Sequence, residues 1–217
     1  MQDTYVELYN ILEKKKEIYL ENCPNFVIGI AKKKIQKYYR ALSMEQDRRS
    51  PHHYFNSVKE VTGKVFVDVG CAEGYSSLEI IEEAKHVYLF EQDEQWLEAI
   101  RATFEPWQDK VTIVQKYVSD HNSSREQTLD DFFNNQTNEH LFLKMDIEGG
   151  EQAVLNASLD ILTNFKSIEL AVCTYHLVDD MEKIESLLSS LGYQCSYTDG
   201  YFYINRQFRK AVLRAYK

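Results

Sequence analysis

Residues 64–77 read Lys64-Val-Phe-Val-Asp-Val-Gly-Cys-Ala-Glu-Gly-Tyr-Ser-Ser77, an apolar strand pattern that runs into a glycine turn and the start of a helix. Gly70 and Gly74 let the backbone turn sharply and approach a ligand without a clash of Cβ atoms. Amide groups at the start of the following helix then face that ligand. The segment therefore predicts a strand, a nucleotide-binding turn and a helix, in that order.

Acidic and hydroxyl side chains stand where a doubly wound fold places its ligand contacts. Asp68 ends the first strand pattern, and Ser76 and Ser77 open the helix. Glu91 ends the next strand pattern, where an acid commonly binds the ribose hydroxyls. The glycine spacing is Gly-x-x-x-Gly, whereas a dinucleotide pyrophosphate favours Gly-x-Gly-x-x-Gly. We therefore expect S-adenosylmethionine rather than NAD, with a tight turn that binds no ligand as the alternative.

Composition narrows the class of protein. The 217 residues with 44% hydrophobic content suit one domain with a full core, and no segment reaches the ~18 consecutive apolar residues of a membrane span. The first residues lack the basic and apolar regions of a secretory signal, so we expect a cytoplasmic protein. The four cysteines form no Cys-x-x-Cys pair and have no histidine at zinc-ligand spacing, which predicts reduced thiols.

Charge is distributed unevenly along the chain. Residues 1–63 carry 11 Lys/Arg against 8 Asp/Glu, and residues 206–217 carry 5 against none. Residues 64–205 therefore carry 9 against 26, a net charge of −17. Such an acidic domain is poorly suited to follow a phosphate backbone, so a nucleic-acid substrate is disfavoured. The basic flanks keep it as an alternative, although solvated helix faces and a soluble tail are the favoured explanation of these flanks.

Hydrophobic periodicity divides the chain into two parts. Apolar positions at helical spacing over residues 4–20 and 26–42 predict an N-terminal helical extension, residues 1–63, that could cover the acceptor cleft or form a homodimer. Residues 64–217 are predicted to be the catalytic domain. Its alternating patterns predict strands at 64–69, 86–91, 111–118, 140–147 and 167–175, and helices at 75–84, 93–104, 128–133, 150–162 and 179–191.

The last strand patterns differ from the earlier ones. Tyr193–Thr198 and Tyr201–Asn205 are joined by Asp199-Gly200, a strong hairpin signal. Repeated βα units imply a parallel sheet with right-handed crossovers, to which the hairpin adds an antiparallel strand. We expect an α/β fold with a Rossmann-like, seven-stranded, mostly parallel sheet and helices on both faces. This is the plan of the class I methyltransferases.

Four segments together resemble the FkbM-type methyltransferases. They are the turn from Val67 to Ser77, Phe90-Glu91, Leu129-Asp130, and the most specific block, Lys144-Met-Asp-Ile-Glu-Gly-Gly-Glu151. The resemblance covers the chain from about residue 65 to residue 203. It implies methyl transfer from S-adenosylmethionine to oxygen, most often a hydroxyl of a sugar, glycan or small secondary metabolite. The family's usual Gly-Ala-Asn turn is here Gly-Cys-Ala-Glu.

The resemblance also implies a set of cofactor contacts. Asp68, Gly70 and Gly74 would surround the methionine part, Glu91 would bind the ribose, and Gln92 would lie beside the ribose or adenine. The end of the third strand pattern would cover the adenine, with plain strand packing as the alternative for its tyrosine. The full predicted cofactor set is Asp68, Gly70, Cys71, Glu73, Gly74, Ser76, Ser77, Glu91, Gln92, Tyr117, Val118 and Asp120.

Candidate catalytic residues follow the fourth strand pattern. Methyl transfer to oxygen needs alignment and removal of a proton, and Asp146 and Glu148 lie at the carboxyl edge where open α/β sheets bind ligands. Lys144 shares a sheet face with Asp146, so it is a further candidate, and an internal pair between the two is the alternative. Stabilisation by a helix dipole is the alternative for Glu148 and the favoured role of Glu151.

The fifth strand pattern ends at the same edge with His176. A histidine titrates near neutral pH and could act as the general base, or it could be a hydrogen-bonded loop residue. Asp146 with Asp179 or Asp180 could hold Mg²⁺ through oxygen ligands. Capping of the following helix explains the Asp pair without a metal.

Other classes of function are weighed by what the chain lacks. A nucleobase amino-methyltransferase would need an Asn/Asp-Pro-Pro-aromatic motif, and the three prolines, Pro24, Pro51 and Pro106, form no such motif. The glycine spacing disfavours an NAD-linked oxidoreductase. A non-catalytic module that binds an adenosyl ligand with the same fold stays an alternative to the enzyme.

Overall fold

The fully buried strand over residues 65–69 lies near the middle of the main sheet. A computed structural model describes residues 40–42, 44–134 and 139–217, and residues Glu45–Lys217 form one compact unit. The predicted helix over residues 4–20, and nearly all of that over 26–42, lie outside the described residues. Eleven strands are described: β1 (Val65–Val69), β2 (His86–Phe90), β3 (Val111–Val114), β4 (Tyr117–Val118), β5 (Glu126–Gln127), β6 (His140–Met145), β7 (Ser167–Cys173), β8 (Gln194–Tyr197), β9 (Phe202–Ile204), β10 (Gln207–Arg209) and β11 (Val212–Tyr216).

Helices lie in half of the ten connections between consecutive strands. Two short 3-10 helices, Val58–Val61 and Glu105–Trp107, precede β1 and β3. None of the helices in the described ranges is long and apolar enough to cross a membrane. The α-helices of the unit that begins at Glu45 are α1 (Tyr75–Ile80), α2 (Glu94–Thr103), α3 (Leu129–Phe132), α4 (Glu151–Asn156), α5 (Leu159–Asn164) and α6 (Asp180–Ser190).

Seven strands form the main sheet in the order β3-β2-β1-β6-β7-β11-β8. The first five are parallel, and β11 runs antiparallel to both β7 and β8. This arrangement confirms the predicted fold class. The chain reverses its direction of travel across the sheet between β1 and β6, which is the switch point where such sheets bind ligands.

Side chains of β1 supply both faces of the core. Val65, Val67 and Val69 pack in one hydrophobic cluster, and Phe66 packs in the other. Because successive strand residues point to opposite faces, both faces of the sheet are covered. Tyr54, which precedes β1, joins the same cluster as Phe66 and is buried.

The pairing of the last strands differs from the prediction. The sequence predicted a hairpin between residues 193–198 and 201–205, joined by Asp199-Gly200. This prediction was wrong, because β8 pairs with β11 and β9 pairs with β10. The β9–β10 turn lies at Asn205 and Arg206, whose φ values of 50° and 64° match a two-residue hairpin turn. The turn signal at Asp199-Gly200 therefore predicted pairing between two strands that do not pair with each other.

Residues 206–217 were expected to form a soluble tail. They contain β11, the antiparallel strand that the predicted hairpin was expected to add to the main sheet. Val212 and Leu213 are fully buried and Ala215 is nearly so. Burial of these apolar side chains between β7 and β8 stabilises the sheet, whereas none of the three residues of β9 is fully buried. The tail is therefore part of the core of the sheet.

Two predicted elements are interrupted. The strand over 111–118 divides into β3 and β4, and β4 pairs with β5 outside the main sheet. The helix over 150–162 divides into α4 and α5 at Ala157 and Ser158. Gly192 has a φ of +88° after α6, as predicted for the residue that follows a helix.

Candidate active site

The turn after β1 is packed too tightly for any residue but glycine at two positions. Gly70 has a φ of +77°, and a Cβ there would lie 2.1 Å from the backbone oxygen of Asp146. Gly74 has a φ of +80°, and its Cβ would lie 2.8 Å from the ring of Phe104. Contacts within the protein are therefore sufficient to explain both glycines, and the turn is held against the end of β6.

A buried ionic network supports this turn. The Asp68 carboxylate accepts a hydrogen bond from Ser77 Oγ at 2.6 Å and lies 2.8 Å from Lys144 Nζ. Lys144 also donates to the carbonyl oxygen of Gly70 at 2.7 Å. Burial would lower the pKa of Lys144, but the carboxylates of Asp68 and Asp146 raise it overall. Lys144 thus pairs with Asp68, not with Asp146 as the structural alternative supposed.

An open cleft of about 310 Å³ lies at the carboxyl ends of β1, β2 and β6. We call it the central cleft. The Glu91 carboxylate accepts from the backbone amides of Ala72 at 3.0 Å and Asp93 at 2.7 Å, so its orientation is fixed. The cleft is lined by Gly70, Ala72, Phe90, Glu91, Gln92, Asp93, Trp96, Lys116, Tyr117, Val118, Asp146, Ile147 and Glu148.

Some of the predicted site residues line the central cleft and others do not. The predicted residues that line the central cleft are Gly70, Glu91, Gln92, Tyr117, Val118, Asp146 and Glu148. Trp96 also lines the cleft, and nothing but its nearness to Glu91 in sequence indicated this. The predicted residues outside the lining are Asp68, Cys71, Glu73, Gly74, Ser76, Ser77, Asp120, Lys144 and His176.

Three of the residues outside the lining have other surroundings. Cys71 is buried in the turn, and burial raises the pKa of its thiol. Burial also raises the pKa of the Glu73 carboxyl. Asp120 is more than half exposed and lies 2.8 Å from His121 Nδ1, whose hydrogen bond lowers the pKa of the aspartate. Their predicted contacts with a cofactor stay predictions.

Asp146 is the centre of a polar cluster at the end of β6. Its Oδ2 accepts from the Tyr54 hydroxyl at 2.8 Å and lies 3.4 Å from His52 Nε2. Its Oδ1 lies 3.4 Å from His176 Nε2. Burial would raise the pKa of Asp146, but His52, Lys144 and Tyr54 lower it overall. The side chain is therefore a carboxylate at neutral pH.

His52 and Tyr54 are the residues of this cluster that sequence reasoning missed. His52 is buried, with Nε2 3.1 Å from the Tyr175 hydroxyl and Nδ1 3.0 Å from Glu45. Burial lowers the pKa of His52, and the carboxylates of Asp146 and Glu45 outweigh this and raise it. The only signal was the aromatic content of the segment before β1.

Glu151 orients His176. Its side chain is fully buried, and Oε1 accepts from the backbone amide of Ile147 at 2.9 Å and lies 2.9 Å from His176 Nδ1. The favoured expectation for Glu151 was stabilisation of a helix start. Glu151 does lie in the first turn of α4, and its carboxylate also contacts the β6 loop and the histidine. Burial lowers the pKa of His176, but Glu151, Asp146 and Glu148 raise it overall.

The Asp pair at the start of α6, Asp179 and Asp180, has structural partners. Asp180 accepts from the backbone amide of Leu177 at 2.6 Å and from Gln152 at 2.7 Å, and Asp179 pairs with Lys183 at 2.6 Å. Within the described ranges, Asp146 shares possible metal-binding groups with His52 and Cys173 or with Glu151 and His176. The structure does not bring Asp179 or Asp180 into either group.

Residues 8–195 match the model of the methyltransferase FkbM domain family. No curated protein matches the chain. Similar solved structures include the precorrin-6y C5,15-methyltransferase of Geobacter metallireducens, at 16% identity over 73% of this chain and 83% of that chain, with a TM-score of 0.47. The ribosomal protein L11 methylase of Lactobacillus delbrueckii subsp. bulgaricus is 12% identical over 74% of each chain, with a TM-score of 0.45. A Streptococcus mutans protein in complex with SAH is 16% identical over 74% of this chain and 93% of that chain, with a TM-score of 0.46.

Proposed function

This chain belongs to the FkbM methyltransferase family and is an S-adenosylmethionine-dependent methyltransferase, and we propose that it methylates a hydroxyl group of a sugar, glycan or small secondary metabolite. One observation carries the proposal. The central cleft is lined both by Glu91, a carboxylate suited to ribose hydroxyls, and by Asp146, a carboxylate suited to an acceptor hydroxyl. A cofactor and an acceptor could therefore occupy one continuous space.

The residues of the cleft fit an adenosyl group. Two backbone amides hold the Glu91 carboxylate, which keeps further lone pairs for the hydroxyls of a ribose. Phe90, Trp96 and Val118 offer apolar surface for a flat purine ring. When bound, S-adenosylmethionine supplies an electrophilic methyl group on a sulfonium.

The chain's own contribution at the other carboxylate is to hold the acceptor. Tyr54 donates to Asp146 Oδ2, which fixes the carboxylate while Oδ1 has no hydrogen-bond partner among the described residues. We assign to the Asp146 carboxylate the hydrogen bond from the acceptor hydroxyl and the uptake of its proton. Orientation of the reacting groups alone can contribute roughly 7–11 kcal/mol to such a displacement. A carboxylate of low basicity can therefore still serve the reaction by holding the acceptor in position.

Charge favours a neutral acceptor over a nucleic acid. Residues 64–205 carry a net charge of −17, and this part of the chain includes every residue that lines the central cleft. An anionic backbone would be repelled by such a domain. A hydroxyl compound without phosphate groups meets no such penalty.

The test is a pair of measurements on the purified protein. Calorimetric titration with S-adenosylmethionine, S-adenosylhomocysteine and NAD should show micromolar binding of the two adenosyl ligands only. Glu91→Ala should weaken that binding at least about tenfold through loss of the ribose contact, about 1.4 kcal/mol. The matched control is Glu98→Ala, which removes an exposed acid from α2, the helix that follows Glu91. This variant should bind the adenosyl ligands like the wild type.

Methyl transfer is then measured by mass spectrometry with a panel of sugars, glycans and metabolite hydroxyls. A mass increase of one methyl group on an acceptor oxygen supports the proposal. Transfer to nitrogen, or to RNA and not to any hydroxyl compound, contradicts it. Tight binding of the adenosyl ligands with no transfer to any acceptor would identify a binding module in place of an enzyme.

A further inference from the structure

Three buried polar atoms at the end of β6 have no hydrogen-bond partner. They are Asp146 Oδ1, His176 Nε2 and Glu151 Oε2, half of all such atoms in the described part of the chain. One donor atom from each of the three residues lies within 4.8 Å of the others. A buried polar group without a partner costs free energy, so a cluster of them indicates a missing occupant.

The hydrogen bond on the other side of the His176 ring sets its tautomer. Nδ1 lies 2.9 Å from Glu151 Oε1, and a carboxylate can only accept, so Nδ1 carries a proton and donates. In the neutral ring, Nε2 then has a free lone pair. This lone pair faces Asp146 Oδ1, which is also an acceptor, and the His176 side chain is only 9% exposed. Proteins orient metal-binding histidines by such a carboxylate contact.

The distance between the two facing atoms fits two ligands of one ion. His176 Nε2 and Asp146 Oδ1 are 3.4 Å apart and do not form a hydrogen bond. Two ligands about 2.1 Å from a tetrahedral ion lie about 3.4 Å from each other. Glu148 Oε2 lies 3.7 Å from the same Nε2 on an 89% exposed side chain, so it can turn to provide a third ligand.

We propose that Asp146 Oδ1 and His176 Nε2, with Glu148 as a third ligand, bind one divalent transition-metal ion beside the central cleft. Glu151 holds the histidine in place from the far side of the ring. A mixed set of imidazole and carboxylate ligands suits Mn²⁺, Fe²⁺ or Zn²⁺ better than Mg²⁺, which prefers oxygen ligands.

A role in the reaction rests on the proposed function, whereas binding of the ion does not. Asp146 and Glu148 both line the central cleft, so the ion would face an acceptor there. A divalent ion lowers the pKa of a hydroxyl group that binds to it. With the ion bound, Asp146 Oδ1 is occupied as a ligand, so the ion would activate the acceptor hydroxyl in place of the free carboxylate, and the hydroxyl proton would pass to water.

The test uses the full chain, freed of any affinity tag and of metal. MnCl2 is titrated with electron paramagnetic resonance to follow free Mn²⁺, and ZnCl2 and MgCl2 are titrated by calorimetry. We expect one equivalent of Mn²⁺ or Zn²⁺ to bind, with Mg²⁺ at least about tenfold weaker. His176→Ala and Glu151→Gln should each weaken binding at least about tenfold. The control is His140→Ala, an exposed histidine of β6 that contacts Ser167 and should leave binding unchanged.

Two results would overturn the site. One is the absence of saturable Mn²⁺ or Zn²⁺ binding by the wild-type protein at about 1 mM ion, a measurement with no question of misfolding. The other is wild-type affinity in a His176→Ala protein that still binds S-adenosylhomocysteine. Either result would assign the 3.4 Å contact to a protonated His176 beside Asp146.

The same preparations separate this proposal from the proposed function. Metal binding without methyl transfer to any hydroxyl compound would keep the site and remove the function. Methyl transfer at an unchanged rate in metal-free protein that binds no ion would keep the function and remove the site.

Discussion

The turn after β1 and the loop after β6 lie against each other, but their polar groups are satisfied differently. In the turn, Asp68 is enclosed by Ser77 and Lys144, and neither of its oxygens faces the central cleft. In the loop, Asp146 borders the cleft with one oxygen unpartnered. Much of the sequence motif at the turn maintains the fold. The loop is where groups remain available for a ligand.

The largest expected effect is a loss of stability from a substitution in the network behind the turn. Lys144→Met would leave the Asp68 charge buried without its partner. Removal of one member of a buried pair costs about 3–5 kcal/mol of unfolding free energy. Urea denaturation followed by circular dichroism measures it. Lys85→Met, which removes an ion pair with Glu139 from a half-exposed lysine, is the control and should change stability far less. Similar losses in both variants would contradict the buried network.

Asp146→Asn should show the opposite balance, with a smaller loss of stability than Lys144→Met, since the amide can still accept from Tyr54, and a large loss of activity. We expect turnover to fall at least about a hundredfold, about 2.7 kcal/mol, while affinity for S-adenosylhomocysteine stays within about twofold. Steady-state kinetics and calorimetry measure the two quantities. A variant with normal turnover would remove Asp146 from the mechanism, and one that has lost cofactor affinity would place it in the cofactor site.

The contact between the two regions is tested by Gly70→Ala, with Gly63→Ala as its matched control. Both glycines have positive φ, but a Cβ at Gly70 meets the Asp146 backbone oxygen, whereas none of the described atoms lies within 4 Å at Gly63. We expect about 1 kcal/mol of destabilisation from backbone strain at Gly63 and about 2 kcal/mol more at Gly70. Equal losses in urea denaturation would show that the turn does not press on the β6 loop.

The smallest effect is expected at Asp120, which the sequence assigned to adenine binding. The residue is exposed, faces His121 and is absent from the lining of the central cleft. Asp120→Ala should therefore change affinity for S-adenosylhomocysteine less than about threefold, in the range of an exposed polar contact. A loss of tenfold or more in calorimetry would restore Asp120 to the cofactor site and extend the cleft beyond its present lining.

Sequence patterns were sufficient where structure is local. The run from Val65 to Gly74 predicted a strand and turn because apolar periodicity and glycine conformation act over a few residues. Glu91 was found because each strand end in a parallel sheet falls at the same edge.

Contacts between distant residues were not predictable in this way. Tyr54 meets Asp146 across 92 positions of sequence, and no local property of either residue indicates the other. The hairpin predicted at Asp199-Gly200 was wrong for the same reason, because β8 pairs with β11, which lies further along the chain. Long-range pairing is decided by burial in the finished sheet and not by the best nearby turn.

The position of β11 between β7 and β8 has a consequence for synthesis of the chain. Until residues 212–216 leave the ribosome, β7 and β8 lack the strand that joins them. Each then presents unpaired backbone groups, which can recruit strands of other molecules. Chains that end before Val212 would therefore be at greater risk of aggregation than chains that include residues 212–216, and a nascent chain would need a chaperone most until those residues emerge.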